Sequence, residues 1–239
     1  MNSATETTTS ESRIPLSKER VLNAAIAVAD QGGIESLTMR KLAQELGVEA
    51  MSLYYHVANK DQVLDGVVDV IVTEIMGAVS QIDDPAGPDP ASSGDWKTAM
   101  RRRILAARQI LLRHPWAPGV IETRTTMSPS IIFYFEALLG VFRSGGFSYD
   151  VAHHALHALG SRALGFSQEL FKPDDAAGED ASSAMFEEMA SRLPNLVGMM
   201  SEIAHDDPGS TLGWCDDQTE FEFGLDLILD GLDKLRLPG

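Results

Sequence analysis

Apolar residues recur every three to four positions along most of the chain, and no segment alternates apolar and polar residues beside turn signals. That period belongs to amphipathic helices, so the expected fold class is all-α. Val21, Leu22, Ala25, Ile26, Val28 and Ala29 form the first stripe, behind Ser17 as N-cap and ahead of the stop Gly32-Gly33. Leu42 and Leu46, with Met39 and Ala43 on the adjoining row, form a second short helix that Thr38 opens and Gly47 ends. Leu53 and Val57 would face inward from a third helix, Glu49–Val57. Asn59, with Gln62 at the capping-box position, opens a fourth helix reaching about Val79, striped by Leu64, Val67, Val68, Ile71, Ile75 and Val79.

Residues 83–94 are rich in Pro, Gly, Asp and Ser and read as a loop at a domain boundary. Helix resumes over Trp96–Leu112, with Met100, Ile104, Ala107 and Leu111 on one face. His114–Thr126 is broken by Pro115, Pro118 and Gly119 into turns and a short helix. Ser128 and Pro129 open a helix through Arg143 that is apolar nearly all round, the pattern of a central core helix. Ser148 caps the next, through about Phe171; residues 172–181 read as an acidic flexible stretch. Short helices are expected from Ser182 or Ser183 to Leu193 and over Asn195–Ala204, before a last helix, Asp217–Leu235.

The third helix carries the first chemical signal. With Leu53 and Val57 inward, Ala50, Met51, Ser52, Tyr54, Tyr55 and His56 are left to project outward. Hydroxyls and an imidazole reach phosphates or base edges, and small residues let a helix seat deeply in the major groove. A helical hairpin whose tyrosines pack on a neighbour accounts for the same residue types.

The pattern around that helix is more specific. Leu37, Thr38, Arg40, Leu42 and Ala43 are followed by Leu46, Gly47 and Val48, then by Leu53, Tyr54 and His56, then by Asn59 and Lys60. This series resembles the N-terminal domain of the TetR family of bacterial transcriptional repressors, over roughly Arg13 to Val79. The resemblance implies a three-helix DNA-binding domain with a helix-turn-helix, followed by a larger helical domain for ligand binding and dimerisation. It implies that Tyr54, Tyr55, His56 and Lys60 hold the DNA backbone, that Arg40, Ala50, Met51 and Ser52 face bases, and that Thr38 belongs to the same surface. The expected organisation is an arm at 1–12, a DNA-binding domain at 13–60, a connecting helix at 61–82, a loop at 83–94 and the second domain at 95–239.

Length and composition, 239 residues and 44% hydrophobic, allow one large or two small domains. The single cysteine, Cys215, excludes an internal disulfide, and neither a spanning apolar run nor a secretory h-region is present, so a cytoplasmic protein without membrane contact is expected. The net charge of −16 argues against nucleic acid only until it is mapped. Residues 13–60 hold six Lys/Arg against five Asp/Glu, a balance of +1, while residues 61–239 carry −15. A reader so weakly basic should bind non-specific DNA modestly, and the acidic remainder would keep the molecule oriented reader-first. Arg13, Lys18 and Arg20 stand near the start of helix one as backbone contacts or as solvated charge. The run Arg101-Arg102-Arg103 fans around its helix and is expected to be solvated or paired with the acidic remainder.

The last helix carries the second signal. Phe221, Leu225, Ile228, Leu232 and Leu235 follow one face, Phe223 and Leu227 mark another, and Gly224 and Gly231 lie nearby. Glycine inside a helix costs on the order of 1 kcal/mol against alanine, so two of them point to close approach by another helix. Phe221, Phe223, Gly224, Leu227, Ile228 and Gly231 are therefore the expected dimer-interface set. The segment is similar to the final helix of TetR-type C-terminal domains, which joins the helix placed here at Ser148–Phe171 in a four-helix interface between two chains.

His153 and His157 are four apart and suit a shared metal ion, with His154 between them; no HExxH motif or cysteine pair accompanies them, so they are expected as polar residues lining an interface or pocket, and no metal or cofactor is expected. No phosphate loop, Gly-x-Ser-x-Gly or nucleophile–base signature marks an enzyme. The resemblance implies a small-molecule pocket, for which Trp116, Met127, Tyr134, Phe166 and Glu169 are the candidates. In tetracycline-responsive members a histidine and a glutamate help hold a drug-bound magnesium. Glu169 falls at the glutamate, but the histidine position falls near Ile121, so that effector is not expected. Ala50-Met51-Ser52 replace a Gln-Pro-Thr triplet of those members, so a different operator is expected. The leading expectation is a homodimeric repressor that binds a palindrome and is released by an effector. An effector-independent activator or architectural factor, or an enzyme with a vestigial reader, stands as the alternative.

Overall fold

The computed structural model describes residues 15–82, 95–165, 192–195, 197–198 and 217–237. Among these residues every regular element is helical: α1 (Lys18–Gly32), a 3-10 turn (Ile34–Ser36), α2 (Met39–Leu46), α3 (Ala50–Leu53), α4 (Lys60–Ile82), α5 (Trp96–Arg113), α6 (Ala117–Thr123), α7 (Pro129–Ser144), α8 (Tyr149–Gly165) and α9 (Asp217–Asp233). The stretch expected to be helical from 166 to 171, the loop at 83–94 and the acidic stretch at 172–181 lie outside the described residues, as do Arg13 and most of the two short helices expected between 182 and 204.

The chain divides into two compact units. The first takes the residues up to Thr73 together with Arg113–Ser130. That second segment, which carries α6, lies within the expected second domain at 95–239 and makes its contacts with the first unit. Local chemistry fixes the helix ends here. Ser17 Oγ accepts from Arg20 N at 3.2 Å, and Gly33 turns the chain at φ 73° while donating to Ala29 O. Asn59 Oδ1 accepts from Gln62 N at 2.8 Å; Gln62 Oε1 in turn accepts from Ala58 N at 2.5 Å, one residue before the cap it was expected to reach. Val21, Ala25, Leu42, Leu53, Val67 and Ile71 are buried at the centre. On α4 the buried positions include Val63 and Val72, while Leu64 is only half-buried. A Cβ placed on Gly66 would lie 2.5 Å from Leu22 Cδ2, which measures how closely α4 passes α1.

The second unit packs α5, the C-terminal half of α7, α8 and α9 around Trp96, Met100, Phe142, Phe147, Phe221 and Leu225. Trp96 stands edge-on to Phe147 at 4.6 Å, and its Nε1 donates to Asp233 at 3.0 Å. That bond, ahead of nearby Lys97 and Arg236, holds the Asp233 carboxyl below the usual carboxylate range. Arg101 donates to Asp226 at 2.7 Å and to Glu222 at 2.6 Å on α9, Arg103 is buried with Nη1 on Ala99 O, and Arg102 is exposed. Of the arginine run, Arg101 fastens α5 to an acidic helix.

Two expectations are corrected. The α7 helix is not buried all round: Leu138, Val141 and Phe142 are in the core, but Ile132, Phe133 and Phe135 are 52%, 63% and 38% exposed within the chain. Apolar residues on every face say that a helix can be buried, not which side its neighbours cover. On α9 the buried series is Phe221, Leu225, Leu229 and Leu232; Ile228 is half-buried, and Leu235, beyond the helix end, is exposed.

The turn after α7 illustrates how tight this core is. Gly145 leads into Gly146 at φ 84°, and Phe147 N donates back to Phe142 O. A Cβ on Gly145 would lie 2.7 Å from both Cβ and Cγ of buried Trp96, atoms too near the backbone to swing away. Gly145→Ala is expected to cost about 1–3 kcal/mol through overpacking. A urea titration should show a lower midpoint with an unchanged slope.

Candidate nucleic-acid interface

Thr38 starts the reader. Its Oγ1 accepts from Lys41 N at 3.1 Å and sets the first turn of α2. Leu42 and Ala43 hold α2 against the first unit's core. Gly47 then takes the left-handed conformation, φ 65° and ψ 34°; its N–H donates to Gln44 O, and Val48 N donates to Ala43 O. These two bonds close α2 in a Schellman turn that needs a residue free of Cβ strain at Gly47. Glu49 follows in extended conformation as the N-cap of α3, its carbonyl accepting from Ser52 N.

The recognition helix is shorter than its sequence pattern. Regular helix covers Ala50–Leu53, and Tyr54–His56 form a turn. Leu53 O accepts from both His56 N and Val57 N at 2.9 Å, so the backbone tightens there and leaves toward Asn59. Leu53 and Val57 are nevertheless the inward pair, at 0% and 1% exposure. They anchor the other side chains on the outside. Met51 is 70% exposed, Tyr55 89% and Tyr54 45%; Ala50 is exposed, and Ser52 and His56 are half-buried. So much apolar and aromatic surface on one short segment marks a contact surface.

Arg40, Lys41 and Lys60 are exposed, and among the described residues no carboxylate pairs with them. Cations left in water beside an apolar, hydroxyl-bearing helix suit phosphates and base edges. Arg20 is engaged differently: Nη1 donates to Pro15 O at 2.8 Å and pins the chain entering α1. Around the turn, Leu46, Gly47, Val48, Glu49 and Ser52 share a shallow cleft with Pro15, Leu16 and Arg20.

Polar ties that the sequence does not disclose brace this unit from behind. Asp30 Oδ1 accepts from Trp116 Nε1 at 2.7 Å and lies 2.8 Å from His114 Nδ1. Arg124 Nη1 reaches Asp61 and Asp65 of α4, each at 3.4 Å, and Ser130 Oγ donates to Asp69. Residues 114–130 are thereby held to α1 and α4. Acidic residues at 61, 65 and 69, one turn apart, are the only sequence signal of a partner on that face.

The other candidate residues are scattered. Trp116 is buried in the first unit with its N–H committed to Asp30, and it lines a cleft of about 320 Å³ with Ile34, Leu64 and Val120. Met127, in the same unit, is exposed. Tyr134 is half-buried against the second unit's core, and burial pushes its hydroxyl up to about 12. Phe166 and Glu169 lie outside the described residues. Of the α9 set, Phe221 is fully buried and Ile228 half-buried against the chain's own core, whereas Phe223 and Leu227 are 62% and 58% exposed. Gly224 accommodates Arg162 of α8, whose guanidinium donates to Glu220 O and Phe221 O and lies over the Phe221 ring; open space surrounds Gly231. No described helix is long and apolar enough to cross a membrane.

A helix-turn-helix with an outward cationic and aromatic face, followed by a second helical unit, defines a DNA-binding transcriptional regulator. Residues 21–67 match the family model of bacterial regulatory proteins of the tetR family, and residues 88–236 match that of the tetracyclin repressor-like C-terminal domain. The chain belongs to the TetR family. An HTH-type transcriptional regulator of Saccharopolyspora erythraea is 26% identical over 219 residues, 91% of this chain and 84% of the relative. The HTH-type transcriptional repressor DrrR1 of Streptomyces coeruleorubidus is 29% identical over 233 residues, 92% of this chain and 78% of the relative. Among solved structures, Streptomyces coelicolor ActR in complex with (S)-DNPA superposes with TM-score 0.67 at 26% identity, covering 92% of this chain and 98% of that one. Its complex with actinorhodin gives 0.65.

Proposed function

We propose that the protein is a homodimeric repressor that leaves a palindromic operator when a small-molecule effector binds. One observation carries the DNA half of this reading: Met51, Tyr54 and Tyr55 stand exposed on a segment anchored by buried Leu53 and Val57, beside the exposed cations Arg40, Lys41 and Lys60, which pair with no carboxylate among the described residues. In this reading Arg40, Ala50, Met51 and Ser52 face bases, and Tyr54, Tyr55, His56 and Lys60 hold phosphates, with Thr38 beside them. The exposed Phe223 and Leu227 of α9 support pairing of two copies. Two readers would then meet half-sites about 34–36 Å apart. The domain scheme of reader, connecting helix, loop and effector-binding domain goes with this reading, as does action on cytoplasmic DNA.

An effector releases DNA only if it binds the DNA-free state more tightly. That ActR has been solved with (S)-DNPA and with actinorhodin supports a small-molecule effector here. The test begins with sites selected from genomic fragments and measured by fluorescence anisotropy. Sequence-specific binding released by a small-molecule compound is expected. Binding that no compound in such a screen alters leaves an effector-independent factor, and no sequence-specific binding at low salt ends the DNA reading. Lys60→Ala should weaken binding about equally on all sequences and reduce the slope of log affinity against log salt by about one per chain.

A further inference from the structure

The helix α8 turns Ala152, Ala155 and Leu159 into the second unit's core. Its opposite side presents three imidazoles. His153, His154 and His157 are all exposed within the single chain. The His153 and His157 rings stand 4.7 Å apart between centroids, at 81° to one another, and His153 and His154 stand 5.4 Å apart. His154 leans toward Asp150, with 3.9 Å between Nε2 and Oδ1. Beyond these rings, neither His153 nor His157 has a hydrogen-bond or ion-pair partner among the described residues. The DNA-binding role uses none of the three.

We propose that His153 and His157 form a chelating site for a divalent transition-metal ion. Residues four apart on a helix have Cβ atoms about 5–6 Å apart, so two imidazoles on one face can converge on a single ion. Zinc sites use this spacing, with nitrogen about 2.0–2.1 Å from the metal. Imidazole ligands suit copper, nickel and zinc, and for such a site affinity rises from cobalt through nickel to copper and falls again at zinc. The helix holds both Cα positions before the ion arrives, so only side-chain rotation is lost on binding. Among the described residues no group of three or more His, Cys, Asp or Glu is arranged to hold an ion. The described residues therefore supply a two-ligand chelate, with the remaining positions left to water or to the same pair on a second copy. His154, one residue from His153 and directed toward Asp150, is not a ligand.

Calorimetric titration of tag-free, full-length protein with Cu²⁺, Ni²⁺ and Zn²⁺ chloride tests this, with light scattering to follow association. Saturable binding is expected, tightest for Cu²⁺, at one ion per chain, or one per two chains if copies share it. His153→Ala and His157→Ala should each lower affinity by at least the roughly 10–100-fold that loss of an outer-shell partner costs. His154→Ala should leave affinity unchanged. All three positions are exposed, and circular dichroism checks that the variants keep their helix. Absence of saturable binding, or binding that His153→Ala and His157→Ala leave intact, overturns the site.

Discussion

Arg40→Ala is expected to lower operator affinity by roughly thirtyfold to twenty-thousandfold. A bidentate arginine–guanine contact carries about 1–3 kcal/mol of discrimination. A dimer on a palindrome makes that contact twice, so about 2–6 kcal/mol is lost if the half-sites add, at about 1.4 kcal/mol per factor of ten. The substitution should not disturb the fold. Arg40 is exposed on α2 and has no carboxylate partner among the described residues, so stability should stay within about 0.5 kcal/mol. The loss should be concentrated at one base pair of each half-site, where wild-type preference disappears. Lys60→Ala, by contrast, should weaken all sequences alike. Parallel titrations of both variants over single-base operator substitutions make that distinction.

Phe142→Ala should be the most damaging substitution in the second unit. Its ring is fully buried, 6.0 Å from Trp96 and 5.5 Å edge-on to Phe147, and it lies in the part of α7 that the core covers. Removing it leaves a cavity among groups held by other bonds, notably Trp96 on Asp233. A loss of about 3–5 kcal/mol is expected. At about 2–4 °C per kcal/mol for a chain of this size, the melting temperature should fall by about 6–20 °C. Phe133, nine residues earlier on the same helix, is 63% exposed, and Phe133→Ala should change chain stability by no more than about 0.5 kcal/mol. The two melting curves together test the division of α7 into a buried and an uncovered half.

The reader was largely legible in the sequence because its determinants are local. Ser17, Thr38 and Asn59 each cap a backbone N–H three residues ahead, and Gly47 turns the chain within its own two hydrogen bonds. Leu53 and Val57 are inward because they are four apart. What escaped was set by partners far along the chain. Asp30 meets Trp116 across 86 residues, and Arg124 meets Asp61 across 63, so nothing near 114–130 shows that this segment folds with the reader. The bond by which Trp116 also braces α1 was hidden for the same reason. The arginine run at 101–103 was legible in kind, as partners for acidic residues, but the choice of Glu222 and Asp226 depends on how α5 meets α9. Periodicity likewise named α9 as two-faced yet placed Ile228 and Leu235 where Leu229 belongs, since a stripe leaves the exact rotation of a helix open to within one residue. The short α3 escaped because Tyr54, Tyr55 and His56 continue the helical pattern while Leu53 O gathers the bonds that end it.

The central claim is that two copies of the Leu37–Lys60 segment read a palindrome through α2 and α3. Equilibrium binding of the wild-type chain to its selected palindromic duplex, against the same duplex with both half-sites scrambled, tests it most directly. At one fixed near-physiological salt, two chains per duplex and a preference of at least about a thousandfold are expected. Equal affinity for the two duplexes would contradict the account.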